Sequence, residues 1–474
     1  MKEEMPPCLP PQEFVCSLSL VALFMAMLDN LVLGVALPSI QRSFNAGITD
    51  LQWFMNAYTL AFSVLLIPFS MMGERFGRKK MFLTGLVLFT VGSVLCGLSG
   101  NSLQLILSRA LQGVGGAAIV PLSLTLVNAG FPENMRAAAF GIWSGISGLG
   151  LSIGPLIGGL IVEGAPWQMI FWVNVPIGLL SLLFGSFWLT ETKGERKPLD
   201  LPGVLLIAAG LFGIVYGLEQ GNTKGWTSLE VIGSLVTGTV LLILFYVWER
   251  NRETPYIRFA LFRNRRYTAY IFTGFWMNAG IFGAIFLLTL FLQQAQGYSA
   301  LEAGVRTMAW TGCTMICAPI AGLAVGRFGS RTVLTVGMTA QALALAGFAV
   351  LIATAGVDVP FLWQAPLMML AGAGMGLSFT PLAHGVMSSV PEQSSGEASG
   401  ISNATRELGG VFGIAISGLI FQSGAAIQTP DDFGVHLVPA LWTGAAMIVL
   451  GVAFALLFAG TLSAGRKLRR AEAQ

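Results

Sequence analysis

Leu20-Val21-Ala22-Leu23-Phe24-Met25-Ala26-Met27-Leu28-Asp29-Asn30-Leu31-Val32-Leu33-Gly34-Val35-Ala36-Leu37 is an apolar run broken by a single charge. A bilayer core about 30 Å thick takes roughly 20 apolar residues as a helix, so the run reads as a membrane span. Similar runs recur along the whole chain. Of 474 residues, 54% are hydrophobic and 10% are charged, where soluble domains carry roughly a quarter charged. Mean hydropathy is +0.74. That composition excludes a soluble enzyme and predicts an all-α polytopic membrane protein. The 59 glycines agree, because small residues let helix backbones pack closely in lipid.

Cutting the apolar runs at Gly, Pro, Asn and charge clusters places helices near 14–36, 51–72, 81–99, 103–127, 137–162 and 168–189. A shorter pair follows near 201–218 and 231–248. Six more fall near 267–292, 301–325, 332–353, 361–389, 400–422 and 438–463, which makes fourteen. The organisation read from this is an N-terminal six-helix bundle over 1–190, a central two-helix insertion with cytoplasmic linkers over 191–262, and a C-terminal six-helix bundle over 263–474. Met1 to Glu13 precedes a segment too long for a cleaved signal, so the first helix is expected to stay.

Positive charge marks the cytoplasmic side. With the N-terminus inside, only Arg42 and Lys224 of the 26 Lys and Arg fall in outer loops, and Arg109, Arg306 and Arg406 lie in or near helices. Both termini are then cytoplasmic. A net charge of +3 argues for no nucleic-acid partner. The five cysteines form no CxxC and no metal-ligand spacing with the two histidines, so no disulfide, metal or cofactor is expected.

The chain repeats itself at an offset near 255. Phe131-Pro132-Glu133 through Gly141-Ile142 aligns with Val390-Pro391-Glu392 through Gly400-Ile401, and Arg75-Phe76-Gly77-Arg78 echoes Arg327-Phe328-Gly329-Ser330-Arg331. Parallel six-helix repeats are the architecture of rocking secondary transporters, with the site between the halves.

An acid inside a span is costly and usually faces a partner or a cavity. Asp29 is therefore the expected proton site, a structural hydrogen bond being the alternative. Arg109 cannot discharge, so it needs a carboxylate, carbonyls or water, and Asp29 is the nearest candidate; otherwise it snorkels to an interface. Asn30 and Gln112 would add polarity to a substrate cavity around Asp29. Gly150, Gly154, Pro155, Gly158 and Gly159 form a small-residue pattern with a bend-permitting proline, expected to make a gating or sealing interface rather than ordinary packing. Glu74, Arg75, Gly77 and Arg78 occupy a tight cytoplasmic turn that could act as a charge latch, or merely mark topology. Asn403, Arg406 and Glu407 are a possible polar site in the second half, and Glu302 with Arg306 and His384 are weaker candidates. With few other acids deep in the membrane, one proton per substrate is expected.

These motifs, in order, make the chain resemble the fourteen-helix drug:proton antiporter family of the major facilitator superfamily along nearly its whole length. Leu28 to Pro38 is similar to its first-helix motif, Arg109 to Gly116 to its fourth-helix motif and Gly150 to Gly159 to its helix-five antiporter motif. Trp167 to Gly178 resembles the segment that opens helix six, and Gly396 to Gly413 the penultimate helix. Leu31 and Gly34 stand where that family usually carries Thr and Asn, and Glu74 where it carries Asp. The resemblance implies alternating access, proton influx through Asp29 and Arg109, and multidrug efflux of small amphipathic compounds powered by the proton gradient; the short loops suit a bacterial inner membrane, and a monomer is expected. A dedicated exporter of one metabolite, antibiotic or lipid is the alternative.

Overall fold

The computed structural model describes residues 12–130, 136–193, 200–252, 255, 257–391, 394–423 and 429–458. Its long helices are α1 (Gln12–Phe44), α2 (Ile48–Phe76), α3 (Arg78–Gly97), α4 (Ser102–Gly130), α5 (Arg136–Gly164), α6 (Met169–Trp188), α7 (Leu201–Lys224), α8 (Leu229–Arg250), α9 (Arg265–Leu290), α10 (Ala300–Phe328), α11 (Ser330–Ala355), α12 (Phe361–Met387), α13 (Ser395–Phe421) and α14 (Pro430–Phe458). Thirteen are long and apolar enough to cross a membrane, and α1, bent by 41° between Asp29 and Leu31, is the fourteenth. The described residues contain no β-strand.

Most helices outrun their apolar cores, because capping groups carry them past the point where hydropathy fails. Asp50 accepts from the Gly47 N–H at 3.1 Å, and Ser299 and Glu302 accept each other's backbone N–H groups at 3.2 and 3.0 Å. Thr429 and Asp432 do the same at the start of α14, which begins eight residues before the apolar run expected at 438. The extension with most consequence is α7: expected to end at 218, it continues to Lys224 and draws Glu219 inside the bundle. The repeated turn is structurally equivalent in both halves. Gly77 between α2 and α3 and Gly329 between α10 and α11 both adopt positive φ, 117° and 81°, which favours glycine.

Helices α1–α6 pack as one group and α9–α14 as another, and the groups meet along two seams, α2 on α13 and α5 on α10. The inserted hairpin lies over the first seam, with α7 touching both α2 and α13. Its partner α8 packs on α7 and exposes Leu229, Ile232, Val236, Val240 and Ile243, a lipid-facing surface. The inner end of the hairpin is tied by Asp200, whose carboxylate accepts from Trp248 at 3.0 Å and pairs with Arg252 at 2.7 Å. Burial opposes ionisation of Asp200, but hydrogen bonding to Glu249, Trp248 and the Gly203 N–H, with the Arg252 charge, holds its carboxyl below the usual carboxylate range.

The α5–α10 seam is shut at its outer end and parted at its inner end. Residues 145, 148, 152, 155 and 159 share one face of α5. Toward the outside this face is in tight contact: a Cβ on Gly159 would stand 2.7 Å from the Ala300 carbonyl oxygen, and one on Gly304 2.4 Å from that of Pro155. Ser152 and Thr311 donate to each other's carbonyls at 3.1 and 3.0 Å. Toward the cytoplasm the same face has nothing within 4 Å of Gly145 or Gly148, and α10 has open space at Gly326. Gln293 and Gln294, in a π-turn that follows α9, add outer closure by donating to the Val35 carbonyl at 2.9 Å and to Gln41 at 2.6 Å.

Candidate functional site

Asp29 sits fully buried at the bend of α1, where two other helices of its own half, α4 and α6, bring polar side chains to it. Arg109 of α4 pairs with Oδ2, while Gln112 of α4 and Asn174 of α6 each donate to Oδ1 at 2.9 Å. A buried carboxylate needs this many donors to offset lost hydration. Close backbone packing delivers them. A Cβ on Gly113 would stand 2.3 Å from the Tyr58 carbonyl oxygen, and one on Gly115 2.3 Å from the Phe89 nitrogen, so α4 nests against α2 and α3. The fourth-helix glycines thus place the arginine one turn away from them.

Arg109 is only 1% exposed but does not depend on Asp29 alone. Its Nε donates to the Phe54 carbonyl at 3.1 Å and its Nη1 to Gln112 Oε1 at 2.7 Å, and the guanidinium stacks over Tyr58 at 4.4 Å from the ring centroid. Gln112 also donates to Ser93 Oγ at 2.9 Å. Neutralising Asp29 would therefore leave the arginine solvated by a carbonyl, an amide and an aromatic face.

Sequence reading placed Asp29, Arg109 and Gln112 together, and the structure brings them within hydrogen-bond distance. The Asn30 side chain lies outside the described residues. Asn174, Ser93 and Tyr58 were not singled out; the available signal was a polar side chain inside an otherwise apolar helix, most plainly Asn174 between Val173 and Val175.

The helix-five pattern splits between two faces. Gly150, Gly154 and Gly158 pack on α1, where added Cβ atoms would meet Met27 and Phe24, Leu28 and Leu31, and Val32. They seat α1 around Asp29 within one half, which is the ordinary packing reading. Pro155 and Gly159 face α10 across the seam.

In the turn after α2, Glu74 accepts from Arg78 at 2.8 and 2.9 Å, and Arg75 lies over Phe76. The N-terminus of α3 takes a different acid: Glu191 accepts from the Lys79 and Lys80 N–H groups at 3.0 and 3.1 Å. A Cβ on Gly77 would stand 2.5 Å from that carboxylate.

Arg406 and Glu407 pair at 3.3 Å, with Arg406 5.1 Å from the Phe379 ring centroid and Asn403 half-buried nearby on the helix. Because α13 starts at Ser395, they lie about 16 Å inside it rather than at its cytoplasmic end. At the outer end Arg306 stacks over Tyr298 at 3.5 Å, and near the inner end His384 Nδ1 meets Ser330 Oγ at 2.7 Å, an ordinary packing contact.

A family model described as "Major Facilitator Superfamily" matches residues 19–414. The chain is 33% identical over 421 residues to the tetracenomycin C resistance and export protein of Streptomyces glaucescens, covering 88% of this chain and 78% of that protein. It is 36% identical over 405 residues to the multidrug resistance protein Stp of Mycobacterium tuberculosis, covering 85% and 74%. Its fold matches the partially occluded inward-open xylose transporter XylE of E. coli with a TM-score of 0.62 at 14% identity, over 94% of this chain and 98% of that one.

Proposed function

The chain belongs to the major facilitator superfamily, and from that premise we propose that it exports small amphipathic compounds across the bacterial cytoplasmic membrane in exchange for protons, with Asp29 as the proton carrier. The observation that carries this reading is the buried Asp29–Arg109 pair at the bend of α1, held by donors from two further side chains. A proton arriving at Asp29 removes the charge that holds Arg109, Gln112 and Asn174 around α1. That frees α1 to move against α5, its glycine-lined neighbour. Substrate entering through the parted inner end of the α5–α10 seam competes with that proton. The pH gradient supplies the energy, no cofactor takes part, and one copy of the chain suffices, since both halves of the site come from it.

The named relatives include a multidrug protein and the exporter of one antibiotic, so a narrow-range exporter is the second reading. Protection of a sensitive host against several unrelated dyes excludes it. The coupling test is dye efflux from proteoliposomes under an imposed pH gradient. Wild type is expected to transport, Asp29→Asn to bind dye yet lose gradient-driven flux, and Arg109→Ala to lose both flux and stability. Asp29→Asn transporting like wild type would place the coupling site elsewhere.

A further inference from the structure

A second carboxyl lies within the membrane-spanning bundle. Glu219 of α7 is 1% exposed and Asn56 of α2 is fully buried beside it. Asn56 Nδ2 donates to Glu219 Oε1 at 2.6 Å and to the Val411 carbonyl of α13 at 3.3 Å. The pair is therefore a three-way junction between the hairpin and both halves of the molecule. Around it Gln52 donates to the Ile414 carbonyl at 3.0 Å and accepts from Gln422 at 3.0 Å, and Asn222 of α7 donates to the Leu419 carbonyl at 2.7 Å. These bonds close the outer part of the α2–α13 seam over Glu219.

Two atoms of the junction have no hydrogen-bond partner: Glu219 Oε2 and Asn56 Oδ1. Both are acceptors, and they belong to the two groups already joined by one bond. An ionised carboxylate facing a carboxamide makes one hydrogen bond and leaves these two oxygens bare. A carboxylic acid facing a carboxamide makes two, the acid O–H donating to the amide oxygen. One proton therefore satisfies both orphaned atoms. No cation competes for the role: among the described residues neither Lys nor Arg pairs with Glu219. The charged and titratable groups nearest to it along the surrounding elements are Asp50 and Tyr58 on α2, Arg406 and Glu407 on α13, Tyr216 and Lys224 on α7, and Glu230 on α8. Glu74 and Arg75 of α2, Glu397 of α13, and Tyr246, Glu249 and Arg250 of α8 lie toward the opposite ends of their helices. Lys224 and Tyr216 are engaged with Glu230, and Arg406 with Glu407.

We propose that Glu219 and Asn56 form a second proton-binding site, filled from the outer side when the α2–α13 seam parts, and that uptake of this proton lets the seam close. With the seam parted, water reaches the carboxyl and it ionises. Closing it while charged would bury an unpaired anion against one amide, whereas closing it protonated completes the two-bond ring. Its part in the transport cycle rests on the proton-coupled reading above.

The test combines infrared spectroscopy and transport on the reconstituted full chain. Wild type is expected to show a neutral-carboxyl band at neutral pH that Glu219→Gln lacks and Asp29→Asn keeps. Glutamine can form the same two-bond ring with Asn56. In proteoliposomes with the gradient held fixed, wild-type efflux is expected to slow about tenfold for each unit of rising outer pH once the site empties, the slope of one proton, and Glu219→Gln to lose that limb. Persistence of the band in Glu219→Gln, or an unchanged outer-pH profile, overturns the proposal; loss of the band with an unchanged profile marks a permanently neutral packing group. Should Glu219→Gln fail to fold, 13C-glutamate labelling of wild type decides, and a neutral-carboxyl band that does not shift overturns it. Absence of any gradient-driven flux in wild type sinks the coupling reading instead, and the band alone then decides the site.

Discussion

Asp29 is recognisable because a charge in an apolar run is conspicuous, but its environment is set by uncharged residues. Asn174 illustrates the consequence. Its hydrogen bond to Asp29 Oδ1 is a bond to a buried charge, worth about 1.5–3 kcal/mol. Asn174→Leu is therefore expected to lower gradient-driven efflux by roughly tenfold or more while leaving the chain inserted, as measured by initial dye flux at a fixed gradient. Flux equal to wild type would show that Arg109 and Gln112 suffice. Gly77 is a second residue-scale case. Its φ of 117° and the 2.5 Å approach of Glu191 leave no room for a side chain, so Gly77→Ala is expected to lower stability by about 1–3 kcal/mol in a thermal melt. In this turn Gly77 and Glu74 were legible, but Glu191 was not, because it arrives from over a hundred residues away.

At the scale of elements, α5 shows why a motif can be seen without its faces being known. Glycines four apart define a stripe, yet only packing shows that Gly154 meets α1 while Gly159 meets α10. The two should fail differently. Gly154→Leu is expected to disturb Asp29 and reduce coupled flux, whereas Gly159→Leu should wedge the outer seam apart. Labelling of Ser152→Cys by a membrane-impermeant maleimide applied outside reads the difference. Little labelling is expected in the parent or with Gly154→Leu, and rapid labelling with Gly159→Leu. Equal labelling in all three would show that the outer seal does not depend on this contact. The hairpin offers a pH test at the same scale. Asp200 has its carboxyl held below the usual range, so the stability it contributes is complete above the ordinary carboxylate pKa and is lost as pH falls through the lower folded value. Asp200→Asn should lower the melting temperature at neutral pH, and the difference from wild type should shrink on acidification.

For the whole molecule, closure of the outer seams together with the parted inner end of α5 and α10 corresponds to one facing state of a rocking pair of bundles. Spin labels on exposed Asn101 of the first half and exposed Asp358 of the second, both on outer turns, should report a short distance in this state and a longer one when the molecule opens outward. If Glu219 controls closure, raising the pH should shift the population toward the longer distance in wild type and leave Glu219→Gln unmoved. The expectation of few other acids deep in the membrane leaves Glu219 out, because the apolar run ends at 218. Packed against α2 and α13, α7 runs on to Lys224, where Gly225 at positive φ ends it, and Glu219 lies inside.

The sequence by itself declared the candidate spans, the repeated turn after α2 and α10, and the Asp29–Arg109 pair. These depend on transfer free energies that add residue by residue along the chain, so a span or a misplaced charge declares itself locally. Only the tertiary structure decided that Asn174 and Gln112 reach Asp29, which glycines seat α1 and which seal α10, and that Glu219 meets Asn56 under the hairpin. In lipid, apolar surface gains little by choosing one helix neighbour over another, so rotation and partner are settled by close packing and hydrogen bonds between distant segments. No local pattern in the chain encodes those contacts.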